Sequence, residues 1–356
     1  MIDTTELLRQ LSQAAGVTGY EDDVRALVRE ALTPLADEFR TDALGNLIAV
    51  QYGEGAEPRP AIMLAAHMDE IGLMVSGFEG SFLRFHTVGG VDLRTLPGQE
   101  VTVHGVQPLP GIVASLPPHV LSPEERSKPV PLDKLFIDVG LDAETVRQRV
   151  HVGDLITMRR DFLPLAGNYV SGKAFDDRAG IVSLAVCLEM LRGMRHSWDV
   201  YAVATTQEEI GLRGATVSAY GLAPDIAIAV DVGFGKQQGV SDSKIVEMDA
   251  GPAIAMGPNV HPLMHQRLVA TAKRHELKYQ TEVIAGASGT DGWAIQVARE
   301  GIPTAVLSIP LRYMHTTVET LCTRDIERTG RLMALFIAGL DDAFAADLGL
   351  QKGASA

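Results

Sequence analysis

Two adjacent glutamates, Glu208 and Glu209, sit in the segment TTQEEIGLRGA (205–215), directly after the apolar run Val200 to Ala204. Side chains of neighbouring residues on extended backbone point to opposite sides. One carboxylate at such a strand end is therefore free to bind a cation while the other faces water. A lone Glu-Glu pair is most often a solvated acidic turn. Its company here changes that reading. His67 and Asp69 follow the apolar run AIMLAA, Asp231 follows DIAIAV, and His315 lies shortly after TAVLSIP. Asp176 opens the helical segment after Gly172. Unrelated causes would not put all these groups at the ends of strands.

The residue types suit a divalent metal. Imidazole with carboxylates favours zinc or a neighbouring first-row ion, and the absence of thiolates argues against a purely structural cysteine site. Asp69, two residues beyond His67, is expected to accept a hydrogen bond from the second ring nitrogen of His67 and fix its tautomer. Three carboxylate charges plus one hydroxide balance two divalent ions. Glu208 is then left over as general base and acid.

These groups need a scaffold that gathers strand ends. The segments on either side of residues 72–165 alternate strands with helices, which implies an α/β fold with a doubly wound sheet whose ligands collect at the carboxyl ends of its strands. AIMLAA reads as a strand buried on both faces, and Glu38 to Val50 as a hairpin turning at Leu44-Gly45-Asn46. Asp3 and Glu6 have the form of a capping box for the first helix. Between Gly72 and about Leu165 the pattern changes to short strands punctuated by Gly and Pro, with one helical segment at Ala143–Val150. That pattern predicts a small all-β barrel or sandwich inserted into the α/β unit. Two domains are expected, a discontinuous one of residues 1–71 and 166–356 and an insert of residues 72–165. Leu116–Pro131 reads as a mobile loop. Thr323 is placed to cap a final helix reaching about Ala346.

The bulk numbers narrow the class. A chain of 356 residues exceeds one simple core. A net charge of −14 argues against nucleic acid as partner. No apolar run approaches a membrane span, and the N-terminus has no pattern of a secretory signal. Cys187 and Cys322 form no metal-spaced cluster, which fits a reducing cytoplasm. His104, His119 and His151 read as surface groups. Lys173, Arg213, Arg312 and Tyr313 read as salt-bridge residues or substrate contacts.

Six ordered motifs, HMDEIG (67–72), SGKAFDDRAG (171–180), TTQEEIGLRGA (205–215), VDVGF (230–234), SGTDG (288–292) and IPLRYMHTTVE (309–319), carry a resemblance over nearly the whole chain. The chain resembles the M42 family of dinuclear metallo-aminopeptidases, which includes glutamyl aminopeptidase and the tetrahedral TET peptidases. The resemblance implies that Asp176 bridges two metals, most often Zn2+, with Co2+ and Mn2+ as alternatives. Glu209 and His315 would complete one metal and His67 and Asp231 the other, with Glu208 as catalytic base and Asp69 orienting His67. It further implies a zinc-peptidase α/β domain, an inserted dimerisation domain, dimers that assemble into hollow dodecamers, and short peptides as substrates. The expected reaction is metal-assisted hydrolysis of the N-terminal peptide bond. Rival expectations are a dinuclear deacylase or carboxypeptidase and a catalytically inactive metal-binding scaffold.

Overall fold

The computed structural model describes residues 2–240 and 245–350. The chain opens with α1 (Thr4–Gln13) and α2 (Asp22–Leu32), then the hairpin β1 (Glu38–Thr41) and β2 (Leu47–Gln51), then β3 (Ala61–His67). It continues through β4 (Gly72–Glu79), β5 (Phe82–Val88), β6 (Glu100–His104), β7 (Pro108–Ala114), α3 (Pro123–Arg126), β8 (Phe136–Asp138), α4 (Ala143–Arg149) and β9 (Leu155–Met158). After β10 (Leu163–Pro164) and β11 (Tyr169–Gly172) come α5 (Phe175–Leu191), β12 (Asp199–Thr205), α6 (Arg213–Leu222) and β13 (Ile226–Phe234). The last part holds β14 (Ala253–Met256), α7 (Pro262–Arg274), β15 (Gln280–Val283), α8 (Asp291–Gln296), β16 (Thr304–Arg312), β17 (Glu319–Cys322), α9 (Thr323–Ala338) and α10 (Asp342–Asp347).

An 11-stranded mixed sheet has the order β1-β2-β12-β3-β13-β16-β17-β11-β10, with β14 on β16 and β15 on β14. Strands β12, β3, β13 and β16 run parallel, so their carboxyl ends share one edge. Helices α1, α5, α7 and α9 cover one face, and α6 and α8 cover the other. Every residue of β3 is consequently buried, as the unbroken apolar run required. Strands β4, β5, β8, β7, β6 and β9 close into an antiparallel barrel with its own core around Leu73, Leu83, Val101, Val113 and Ile156. The expected α/β fold with a small barrel is thus observed.

Several local expectations change. The segment Leu116–Pro131 includes a helical turn, α3, held by a complete capping box between Ser122 and Glu125. In α1 only half of such a box forms. Asp3 accepts the Glu6 amide, while Glu6 turns to Arg9 and Gln10. The final helix stops at Ala338, because Asp341 caps a separate α10 two residues after Gly339. His104 is partly buried in the barrel, with Nε2 2.9 Å from Thr157 Oγ1, whereas His119 and His151 are exposed.

Candidate metal centre

His67 ends β3 at the shared edge, and its buried Nε2 lies 3.0 Å from Asp176 Oδ1. Its other nitrogen, Nδ1, is 3.2 Å from the main-chain oxygen of Asp69 and 3.6 Å from the Asp69 carboxylate. The nearer partner is the carbonyl, which can only accept. In the neutral ring Nδ1 therefore carries the proton, and Nε2 is the nitrogen whose lone pair would serve a cation. Asp69 thus stays beside the His67 ring, and it has further contacts that the sequence did not suggest. Its carbonyl holds the imidazole, while its carboxylate accepts the amide hydrogens of Glu208 at 3.0 Å and Glu209 at 3.3 Å, and the Thr18 hydroxyl at 2.9 Å.

Asp176 lies in the first turn of α5, but it and Asp177 have non-helical dihedrals, and their shared peptide is cis. The regular helix begins beyond them, where Asp177 Oδ1 accepts the Gly180 amide at 2.9 Å. Asp176 is thus on a turn that aims its carboxylate back across the sheet edge. Its two oxygens face different histidines. Oδ1 meets His67, and Oδ2 lies 3.4 Å from His315 Nε2. His315 sits in the loop after β16 at φ 61, and its Nδ1 is 3.1 Å from the Gly90 carbonyl. That acceptor again leaves Nε2 as the free donor atom. Glu209 Oε1 also lies 3.4 Å from His315 Nε2. His67, Asp176 and Glu209 each offer a ligand atom within 4.8 Å of the others.

Glu208 and Glu209 lie beyond the end of β12, in a turn set by Gln207 at φ 53 and Gly211 at φ 120. Strand alternation therefore does not separate them; the turn and its two amide bonds to Asp69 do. Asp231 is inside β13, not after it, since β13 runs on to Phe234 in register with β16. Asp176, Glu208, Glu209, Asp231 and His315 all line one cavity of about 540 Å³.

The electrostatics are those of a site short of positive charge. Burial pushes Glu208 up to about 10 and Glu209 up to about 7. Burial likewise lifts Asp177, Asp231 and Glu319 well above the carboxylate range, with neighbouring carboxylates adding to the shift. Asp176 goes the other way: burial opposes ionisation, but hydrogen bonds to His315 and His67 hold it below its ordinary value. His315 is raised to about 9, chiefly by Asp176. No lysine or arginine is among the described residues that line the cavity. Two imidazole Nε2 atoms set among clustered carboxylates, with no lysine or arginine in the lining among the described residues, form a donor set that fits divalent cations.

Sequence reasoning missed three supporting acids. Glu319 accepts the amides of Phe175 at 2.7 Å, Asp176 at 3.2 Å and His315 at 3.0 Å, fixing the backbone of both residues. Asp291 accepts the Thr205 hydroxyl at 2.5 Å and is raised to about 6 by burial. Glu70 receives the ammonium of Lys173 at 2.5 Å. Glu319 and Asp291 belong to the motifs IPLRYMHTTVE and SGTDG, which was the available signal. Lys173 does pair in a salt bridge, and Arg312 donates to the Lys236 carbonyl at 2.7 Å.

Comparison with known proteins agrees with the six motifs. The profile of the M42 glutamyl aminopeptidase family matches residues 45–332. Lysyl aminopeptidase from Pyrococcus furiosus is 37% identical over 336 residues, covering 92% of this chain and 94% of the relative. An aminopeptidase from the archaeon Desulfurococcus kamchatkensis has the same fold with a TM-score of 0.90 at 37% identity, over 98% of each chain. The TET1 peptidase of Pyrococcus horikoshii, which can assemble into a tetrahedron or a large octahedral shell, has a TM-score of 0.84 at 32% identity, over 95% of this chain and 100% of that one. This chain belongs to the M42 glutamyl aminopeptidase family, and is by that membership a peptide-bond hydrolase.

Proposed function

We propose that this protein removes N-terminal residues from short peptides at a centre for two divalent metal ions. The observation that carries the reading is the Asp176 carboxylate, which turns one oxygen toward His67 and the other toward His315. In this assignment Asp176 would serve both ions, His67 and Asp231 would hold one, and Glu209 and His315 would hold the other. Zn2+ suits the donors, with Co2+ and Mn2+ as alternatives. Divalent ions bound here would acidify water and polarise the scissile carbonyl.

The protein's own groups supply the rest. Glu208 borders the cavity and accepts from no cationic side chain among the described residues, which leaves its carboxylate to take a proton from attacking water and pass it to the leaving amine. Asp69 holds the turn that presents it. The acidic surroundings favour a substrate's free α-ammonium over an N-acyl group.

We assign residues 1–71 and 166–356 to the catalytic unit and 72–165 to an inserted unit that mediates dimerisation. Exposed Ile112 and Phe82 on the barrel and the assembly of the TET1 relative support that part. Two buried free cysteines accord with a reducing compartment, and no helix among the described residues is long and apolar enough to cross a membrane.

The test is a panel of free-amine and N-acetylated aminoacyl substrates on metal-loaded protein, with Glu208→Gln alongside. Free-amine substrates are expected to turn over and N-acetylated ones to resist. Glu208→Gln should retain its metal stoichiometry while kcat falls about 100-fold or more. Near-normal turnover in that variant refutes the base assignment, and preferential cleavage of acylated substrates refutes the aminopeptidase reading.

A further inference from the structure

The cavity beside the metal centre is also lined by a carboxylate that the catalytic assignment does not use. Glu282 projects from β15 and accepts the Ser308 hydroxyl at 2.6 Å. Ser308 pairs in register with Asp231 across β13 and β16, so its hydroxyl links Glu282, which comes from β15 beyond β14, to the strand position beside Asp231. Gly233 lies between them, on the same side as Asp231. A Cβ there would meet Ser308 Cβ at 2.9 Å and come within 3.7 Å of Glu282 Oε1. The missing side chain keeps the passage from the metal centre to Glu282 open.

The walls and the charge select for the same ligand. Ile284, Phe234 and Trp293 line the cavity, and the two aromatic residues are 42% and 46% exposed, leaving apolar surface uncovered. Five carboxylates line it: Asp176, Glu208, Glu209, Asp231 and Glu282. Two divalent ions neutralise at most four of these charges. Glu282 lies outside the proposed metal ligands and is compensated only by a serine hydroxyl, with no cationic partner among the described residues. A long side chain with an apolar stem and a positive end matches aromatic walls with a carboxylate beyond them.

Resting on the aminopeptidase reading above, we propose that Glu282 is a specificity-determining residue that favours peptides beginning with lysine or arginine and disfavours those beginning with glutamate or aspartate. An ammonium or guanidinium replaces the absent counter-ion of Glu282. A substrate carboxylate would instead be placed against it without water to screen the repulsion.

The test compares kcat/KM for lysyl, arginyl, leucyl and glutamyl anilides on the metal-loaded full chain and on Glu282→Gln and Glu282→Lys. Lysyl over leucyl preference should drop roughly 10- to 100-fold in Glu282→Gln, mainly through KM, as expected for the loss of one charge-assisted hydrogen bond. Glu282→Lys should raise glutamyl over lysyl turnover. A wild-type protein that cleaves glutamyl substrates as well as lysyl ones, or a ratio unmoved by Glu282→Gln, overturns the proposal. Calorimetric titration with lysinamide and with isoglutamine, the α-amide of glutamate, reads the same pocket without turnover. If no free-amine substrate is cleaved, the aminopeptidase reading fails, yet tighter binding of lysinamide that is lost in Glu282→Gln still supports the pocket assignment. Equal binding of both amides overturns it.

Discussion

The carboxylate of Asp69 accepts the main-chain amide hydrogen of Glu208 at 3.0 Å. Its second oxygen takes the Glu209 amide and the Thr18 hydroxyl. One side chain therefore sets the turn that carries both the proposed base and a proposed metal ligand. Burial would raise its pKa, but His67 and these donors hold Asp69 below its ordinary value, so it remains an acceptor. Asp69→Asn keeps the shape but presents an NH2 group to one of the amide donors. The expected result is a kcat lower by about 10- to 100-fold with metal content preserved. Steady-state kinetics paired with elemental analysis check this; a kcat within about two-fold of the parent would remove Asp69 from the positioning role.

How much of this arrangement could be read from the sequence depends on the range of the interaction. His67, Asp176 and His315 stand beside long apolar runs, and the runs fixed the strands whose edge gathers them. The bonds that the Asp69 carboxylate accepts from the Glu208 and Glu209 amides could not be read, because they depend on a turn at Gln207 and Gly211 rather than on local alternation. Glu319 lay inside a quoted motif, but its task could not be read for a related reason. It acts on amides 143 and 144 residues away, and no spacing encodes that. Short strands such as β14 and β17 carry too few residues to show a period, and they form because longer neighbours offer an edge. The break between α9 and α10 was written locally, in Gly339 and Asp341, but the apolar periodicity runs across it.

Gly90 belongs to the loop after β5, and its carbonyl is the acceptor for His315 Nδ1. The same glycine leaves no spare room, since an added Cβ would lie 2.8 Å from His315 Nδ1 and 3.0 Å from Cε1. Gly90→Ala is expected to displace the imidazole while the barrel core, which Gly90 does not join, stays folded. The protein should then weaken or lose one of its two metal ions. Metal stoichiometry by elemental analysis and circular dichroism separate this from unfolding. Two tightly held ions in the folded variant would show that His315 is not placed by this loop.

The buried ion pair between Lys173 and Glu70 ties the turn before Asp176 to the segment after β3. Glu70 also accepts the Gly16 amide at 3.1 Å and faces Arg178 at 3.7 Å. Lys173→Met removes one cation and leaves Glu70 buried beside the other. A stability loss of about 3 kcal/mol is expected. Adding Glu70→Gln should recover part of it, because the charge left without its partner is then gone. Denaturant melts of the single and double variants check the coupling, and additive losses would contradict it.

Stability of the metal-free protein should fall as pH rises through neutrality. The ordinary glutamate value is 4.5, while burial lifts Glu208 to about 10 and Glu209 to about 7. His315 rises from 6.5 to about 9, chiefly through its bond to Asp176. Within these intervals each group binds more protons folded than unfolded, so the slope of unfolding free energy against pH is negative. Groups with depressed values, Asp69 and Asp176, lose their contribution only below 3.8 and do not affect the neutral range. Divalent ions compete with the same protons, so their binding releases protons and strengthens with pH. Melting of chelator-treated protein is therefore expected at progressively lower temperature from about pH 6 to about pH 9, with added Zn2+ restoring more at the alkaline end. A metal-free protein that melts higher at the alkaline end contradicts the carboxylate cluster as the source of its charge strain.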